Sequence, residues 1–145
     1  MKYSQSGIHL TEQFEGCRLT AYADQGGVLT IGYGHTGAIL PGQTCTQAQA
    51  EEWLHQDMAF AEAEVNRLVK IPLTQPEFDA LVDFTFNCGY GNFDHSTLLK
   101  LVNSGDMTAA AEEFQKWDKC AGQVVAGLLR RRLAEEAEFK TGAQS

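Results

Sequence analysis

Residues 14–36, FEGCRLTAYADQGGVLTIGYGHT, limit the fold more than any other part of the chain. Ahead of them Ile8, Leu10 and Phe14 give a loose helical period from Gly7, and Gly16 is a natural stop. Behind them, residues 18–23 and 28–33 are two β-prone runs around Asp24-Gln25-Gly26-Gly27, the pattern of a hairpin. A helix that ends directly in a hairpin, within a chain whose other periodicity is helical, calls for a small antiparallel sheet packed on helices. The expected class is therefore α+β.

Two acids sit at the ends of these elements. Glu15 falls in the last helical turn, where the negative helix end disfavours a carboxylate and relatively favours the neutral acid. Asp24 lies in the hairpin turn. Strand alternation puts Val28, Thr30 and Gly32 on one side and Leu29, Ile31 and Tyr33 on the other, and the turn brings Asp24 and Thr30 to the same side. A neutral acid facing an ionised carboxylate is the pair that glycosidic hydrolysis uses. From residue types alone, the same features also describe a surface glutamate and an Asp turn residue.

The rest of the chain reads as helices. Residues 37–42 are turn-rich, with room for a short third strand. Thr46 to Gln49 is a capping-box pattern opening a helix with Leu54, Met58, Ala61, Val65 and Leu68 inward, ended near Lys70 and Pro72. At 1.5 Å per residue, residues 46–70 span about 38 Å, enough to join two lobes, though a long amphipathic helix within one lobe has the same pattern. Thr74 and Glu77 form a second capping box with Pro76 in the first turn, and Phe78, Leu81, Val82 and Thr85 face inward until residues 87–91 stop the helix. Ser96 and Asp106 cap two further helices, with Leu98, Leu99, Leu101 and Val102 inward on one and Ala110, Phe114 and Trp117 on the other. Arg130, Arg131 and Arg132 cannot share one face of the last helix. Either Arg131 or Arg132 pairs with a carboxylate of the N-terminal part, or the helix is solvated and balanced by Glu135, Glu136 and Glu138. Residues 141–145 are expected to fray.

Composition narrows the partners. The formal charge of −8 argues against nucleic acid, whose phosphates need clustered Lys and Arg. Residues 1–13 hold no apolar run of signal-peptide or membrane-anchor length. Cys17, Cys45, Cys88 and Cys120 form no CxxC pair, and no His completes a zinc-ligand spacing. The thiols are expected to be reduced and mostly buried; three full disulfide pairings stay open.

The string Glu15-x8-Asp24-x5-Thr30, inside FEG…AYAD…GG…TIGYGHT, resembles the phage-type lysozymes of glycoside hydrolase family 24, and Gly127 to Glu135 resembles their C-terminal GLxxRRxxE helix. The resemblance implies a lysozyme-like α+β fold in a single domain, residues 1–145. A β-containing lobe (12–60) and a helical lobe (70–145 plus 1–11) would be joined by a bridging helix (46–70), with a cleft between. It implies a muramidase that cuts the β-1,4 bond between N-acetylmuramic acid and N-acetylglucosamine and lyses the host. Glu15 would be the general acid, Asp24 the base or water-positioning carboxylate, and Thr30 the residue orienting water. Thr36, Phe86, Asn87 and Ser96 would bind substrate, and His35 would pair with Asp57 beside the site. The implied partner is bacterial peptidoglycan, and the resemblance implies neither metal nor cofactor. The enzyme would act as a monomer, wait in the host cytoplasm, and reach the wall through a holin. The net negative charge departs from the basic character of many such enzymes. A catalytically silent peptidoglycan-binding protein and a lytic transglycosylase are the alternatives on the same fold.

Overall fold

Ser4 starts the first helix: its hydroxyl accepts the Gly7 amide at 3.1 Å, and helix α1 runs Gln5–Glu15. Gly16 ends it at φ 66°, a backbone conformation that costs a glycine little. The computed structural model describes residues 1–24, 26–120 and 122–143, and neither Gln25 of the hairpin turn nor the last two residues of the expected frayed tail lies among them.

A three-stranded antiparallel sheet follows, in the order β1 (Arg18–Ala23), β2 (Leu29–Gly32), β3 (His35–Thr36). Tyr22 opposes Thr30, Ala23 opposes Leu29, and an irregularity separates these pairs from Arg18 and Gly32. The third strand is His35–Thr36, ahead of the stretch expected to contain it; residues 37–42 turn, and the chain then returns along β1 through a bridge between Thr20 and Thr44.

Helix α2 (Gln47–Leu68) is capped by Thr46 and buries Ala50, Leu54, Met58, Ala61 and Val65, while Leu68 is half-buried. Its 22 residues span about 33 Å. It packs on β2 and β3 and also on the next two helices, α3 (Gln75–Cys88) and α4 (Tyr90–Asp94), which makes it the element between the sheet and the helical body.

Helix α3 is the centre of that body. Its capping box is complete, with Thr74 and Glu77 exchanging bonds. Phe78, Ala80, Leu81, Val82 and Phe84 are almost fully excluded from solvent, and α1, α2 and α7 (Ala126–Ala143) pack around them. Phe84 makes edge contacts with Phe93, Phe114 and Trp117. Helices α5 (Thr97–Ser104) and α6 (Met107–Glu113), capped by Ser96 and Asp106, close the bottom. The short helix α4, the 3-10 turn Phe114–Lys116 and a hairpin of β4 (Lys119–Cys120) and β5 (Gln123–Val124) carry too few residues to show a period in the sequence. The expected fraying from residue 141 is corrected: α7 continues to Ala143, and Gly142 packs so close to Thr74 that no side chain fits there.

Gly7 shows how tightly α1 is seated. A methyl group there would fall inside contact distance of the Tyr3 ring, whose hydroxyl is 2.7 Å from Thr11 Oγ1. Gly7→Ala should therefore lower stability by about 1–3 kcal/mol in urea denaturation, despite the gain of about 1 kcal/mol in helix propensity.

Candidate active site

Glu15 is the last residue of α1, so its side chain leaves the helix toward the sheet. Oε2 accepts Arg131 Nη1 at 2.6 Å. Oε1 faces Gly34, in the β2–β3 turn, where a methyl group would lie 3.2 Å away. Gly34 also has φ 80°, so both its backbone and its missing side chain suit this position. The bond from the guanidinium reaches a carboxyl that stands at the negative end of the helix.

Arg131 belongs to a buried network. Its Nε and Nη2 grip both oxygens of Asp83 on α3, at 2.9 and 2.8 Å. Asp83 Oδ1 also accepts the Thr11 hydroxyl at 2.7 Å. Arg131 is 4% exposed and Arg132 is 0%. Arg132 takes Glu135 with two bonds, at 2.6 and 2.7 Å. The solvated-helix alternative for the Arg run is thereby corrected: of the three, only Arg130 is exposed. Burial alone would push Asp83 up, yet hydrogen bonds from Glu135 and Arg131 outweigh it and hold the carboxyl at about 2. Burial, with Asp83 beside it, pushes Glu135 well above the usual carboxylate range. Burial opposes the charge on Arg131, but Asp83 and Glu15 more than compensate and raise its pKa.

The hairpin turn is shaped by Asp24. Oδ1 accepts the amides of Gly26 and Val28 at 2.8 and 2.9 Å, so the side chain closes its own turn. Among the described residues no donor reaches Oδ2. The Val28 carbonyl accepts both the Asp24 amide and the Thr30 hydroxyl, each at 2.9 Å. That shared oxygen places Thr30 and Asp24 on one piece of backbone. Thr30 is buried at the centre of the sheet, between Tyr22 and Thr36.

His35 Nδ1 lies 2.9 Å from Asp57 Oδ2, and its ring stacks on Trp53 at 4.7 Å. Thr36 is exposed on β3. Phe86 is half-buried and Asn87 exposed at the end of α3. Ser96 is elsewhere: it is buried, its hydroxyl donates to Phe93 O at 2.7 Å, and it accepts the Leu99 amide at 3.0 Å as the cap of α5. Both functions of that hydroxyl are used within the fold.

A cleft of about 880 Å³ lies between α1 and α7, lined by Phe14, Glu15, Asn87, Leu128, Arg130 and Arg131 among others. It reaches Glu15 but not Asp24 or Thr30. Pairing of Arg131 or Arg132 with an N-terminal carboxylate is one of two readings of the sequence, but neither which arginine nor the part played by Asp83 is visible in the local pattern. Asp83 reads as a helix residue and Arg131 as one of three arginines, and only their distant pairing marks them. Among the described residues no three His, Cys, Asp or Glu side chains group as metal ligands, and no helix is long and apolar enough to cross a membrane. Cys17, Cys45 and Cys88 are free and half-buried, more accessible than expected; the Cys120 side chain lies outside the described structure.

Comparison with known proteins adds three findings. The family model described as "Phage lysozyme" matches residues 12–135. The chain is 42% identical to an endolysin of Acyrthosiphon pisum secondary endosymbiont phage 1, covering 97% of this chain and 99% of that one; it is 43% identical to an endolysin of Bacillus phage PZA, covering 98% of this chain and 56% of that longer one. A crystal structure of a P22 lysozyme mutant superposes with a TM-score of 0.91 at 37% identity, over 97% of this chain and 99% of that one.

The Asp83–Glu135 pair sets a pH dependence of stability. A carboxyl lowered in the fold lets the unfolded chain take up its proton first, so the stability Asp83 contributes is present above about pH 4 and lost as pH falls toward 2. That loss should be about 2 kcal/mol and should disappear in Asp83→Asn. Glu135 has the opposite sign. Its contribution is complete below about pH 4 and is lost as pH rises through its raised value, and Glu135→Gln should flatten that limb. Urea denaturation from pH 2 to 8 measures both slopes.

Proposed function

The chain belongs to the phage lysozyme family, and from that premise we propose that it cleaves the β-1,4 bond between N-acetylmuramic acid and N-acetylglucosamine in peptidoglycan. The observation that carries the reading is Glu15, held at a helix end within a cleft, one oxygen on Arg131 and the other toward the Gly34 turn. Glu15 is the general acid. With Oε2 occupied by the guanidinium, Oε1 carries the proton given to the leaving sugar oxygen.

Asp24 and Thr30 handle the water. Asp24 Oδ1 is committed to two backbone amides, which leaves Oδ2 to take a proton from water. The Thr30 hydroxyl proton is committed to Val28 O, so the Thr30 oxygen accepts the second water hydrogen. A water held by two acceptors points a lone pair away from both, toward the sugar carbon. Carboxyls about 6.5–9.5 Å apart leave room for such a water and give inversion, whereas about 5–5.5 Å favours direct attack and retention. The arrangement of acceptors favours inversion.

Thr36, Phe86 and Asn87 are the outer substrate contacts in this reading. The His35–Asp57 pair positions β3 against α2. The enzyme acts as a monomer on the wall of the phage host, after release through a separately encoded pore, and needs neither cofactor nor nucleic acid.

Glu15→Gln should retain the wild-type circular dichroism spectrum and lose lysis of permeabilised Gram-negative cells by about 10³-fold. A variant keeping a tenth of the activity removes Glu15 from the acid role. NMR of the first product from a soluble wall fragment should show the α anomer; a β anomer would make Asp24 a nucleophile. Products should carry hydrated reducing ends, and anhydro ends by mass spectrometry would make the enzyme a transglycosylase.

A further inference from the structure

Among the described residues, Phe60 and Tyr90 are the only exposed Phe, Tyr or Trp side chains, at 56% and 54%. They touch each other, with ring centroids 5.0 Å apart at 66°. Phe60 comes from α2 and Tyr90 from the start of α4. The two rings border a small pocket of about 240 Å³ whose other walls include Phe86 and Asp57. An aromatic pair left in water, beside a concave and mainly apolar site with a few polar groups, is the usual composition of a small-ligand site.

The position is as informative as the composition. Asp57 faces His35 on β3, and β3 pairs with β2 at Thr30. Phe86 lines this pocket, while Asn87, the next residue, lines the cleft that holds Glu15. The pocket therefore lies between α2, the end of α3 and the start of α4, and consecutive residues of α3 line it and the cleft beside Glu15. A polymer seated at Glu15 and Asp24 extends past the two rings that flank the broken bond, and this is a place for it to rest.

We propose that the Phe60–Tyr90 pocket is a further sugar-binding subsite, taking one N-acetylated pyranose of the same glycan strand. This rests on the muramidase reading above. A pyranose face carries C–H groups that stack on an aromatic ring, and its hydroxyl and amide groups are neutral donors for Asp57. A neutral donor fits better than an ammonium group, because both Asp57 oxygens already face His35 Nδ1, at 2.9 and 3.2 Å. The volume suits one ring rather than a length of strand.

The test is calorimetric binding in the Glu15→Gln background, where the ligand stays intact. The probes are a disaccharide and a hexasaccharide of alternating N-acetylglucosamine and N-acetylmuramic acid without stem peptides, and the same hexasaccharide bearing them. Adding Phe60→Ala and Tyr90→Ala together should weaken the peptide-free hexasaccharide about tenfold and leave the disaccharide within about twofold. Phe60→Tyr with Tyr90→Phe keeps both rings and should bind as the parent does. With Glu15 intact, the double alanine variant should raise KM for long glycan without lowering kcat. Both rings are exposed, so unchanged urea denaturation is expected of every variant. An unchanged hexasaccharide affinity overturns the subsite, as does an equal loss for the disaccharide. A loss confined to the peptide-bearing glycan also overturns it and makes the pocket a stem-peptide site. If Glu15→Gln binds none of the glycans, or wild-type enzyme leaves peptidoglycan uncut, the muramidase reading falls together with the subsite.

Discussion

Arg131 is the point at which three helices meet. From α7 it holds Asp83 on α3 with two bonds and Glu15 on α1 with a third. Taking a guanidinium and a carboxylate out of water costs several kcal/mol per ion, and only near-complete pairing offsets it. Here pairing is extensive: every nitrogen of the guanidinium is used, and Thr11 satisfies a further lone pair of Asp83. Among the described residues no buried side-chain nitrogen or oxygen is without a partner. The candidate acid thus stands at the edge of a network that the helical body cannot rearrange cheaply, which fixes Glu15 relative to α3 and α7 rather than to α1 alone.

The hairpin that carries Asp24 and Thr30 is built differently. Among the described residues no distant partner holds Asp24; it is positioned by its own turn, through the Gly26 and Val28 amides, and Thr30 is tied to the same Val28 by its hydroxyl. Rigidity on that side is local and comes from backbone hydrogen bonds. One candidate group is placed by tertiary pairing and two are placed by a hairpin. A shift of the sheet against the helical body would change the gap between them without breaking either arrangement. Helix α2, packed on β2 and β3 at one end and on α3 and α4 along its length, is what resists that shift, and the His35–Asp57 contact ties the sheet to it.

Buried charge also explains the shape of the core. Helix α3 is apolar on most faces, yet it carries Asp79 and Asp83 inside the protein. Asp79 is taken by Ser4 and Gln75, and Asp83 by Arg131 and Thr11. Each aspartate anchors a different stretch of the N-terminal segment, so α1 is tied to α3 by polar contacts at its start and its middle and by packing at Ile8. The Tyr3 hydroxyl, pushed up by burial and then by Asp83, closes the same network from the chain start.

What was legible in the sequence was local. The end of α1 at Gly16, the hairpin around Asp24, the inward stripe of α2 and the caps at Thr46, Thr74, Ser96 and Asp106 all follow from backbone preferences and side-chain periods within a few residues. So does the closeness of Asp24 and Thr30, which strand alternation places together. The pairing of Arg131 with Asp83 and Glu15 joins residues 48 and 116 positions apart, and no local period encodes it. The same holds for the cleft beside Glu15 and for the meeting of Phe60 with Tyr90. The sequence determined which acids stand at the ends of which elements. Only the tertiary structure decided which charges surround them, because burial creates the demand for a partner, and the helices that supply it meet only when the chain has packed.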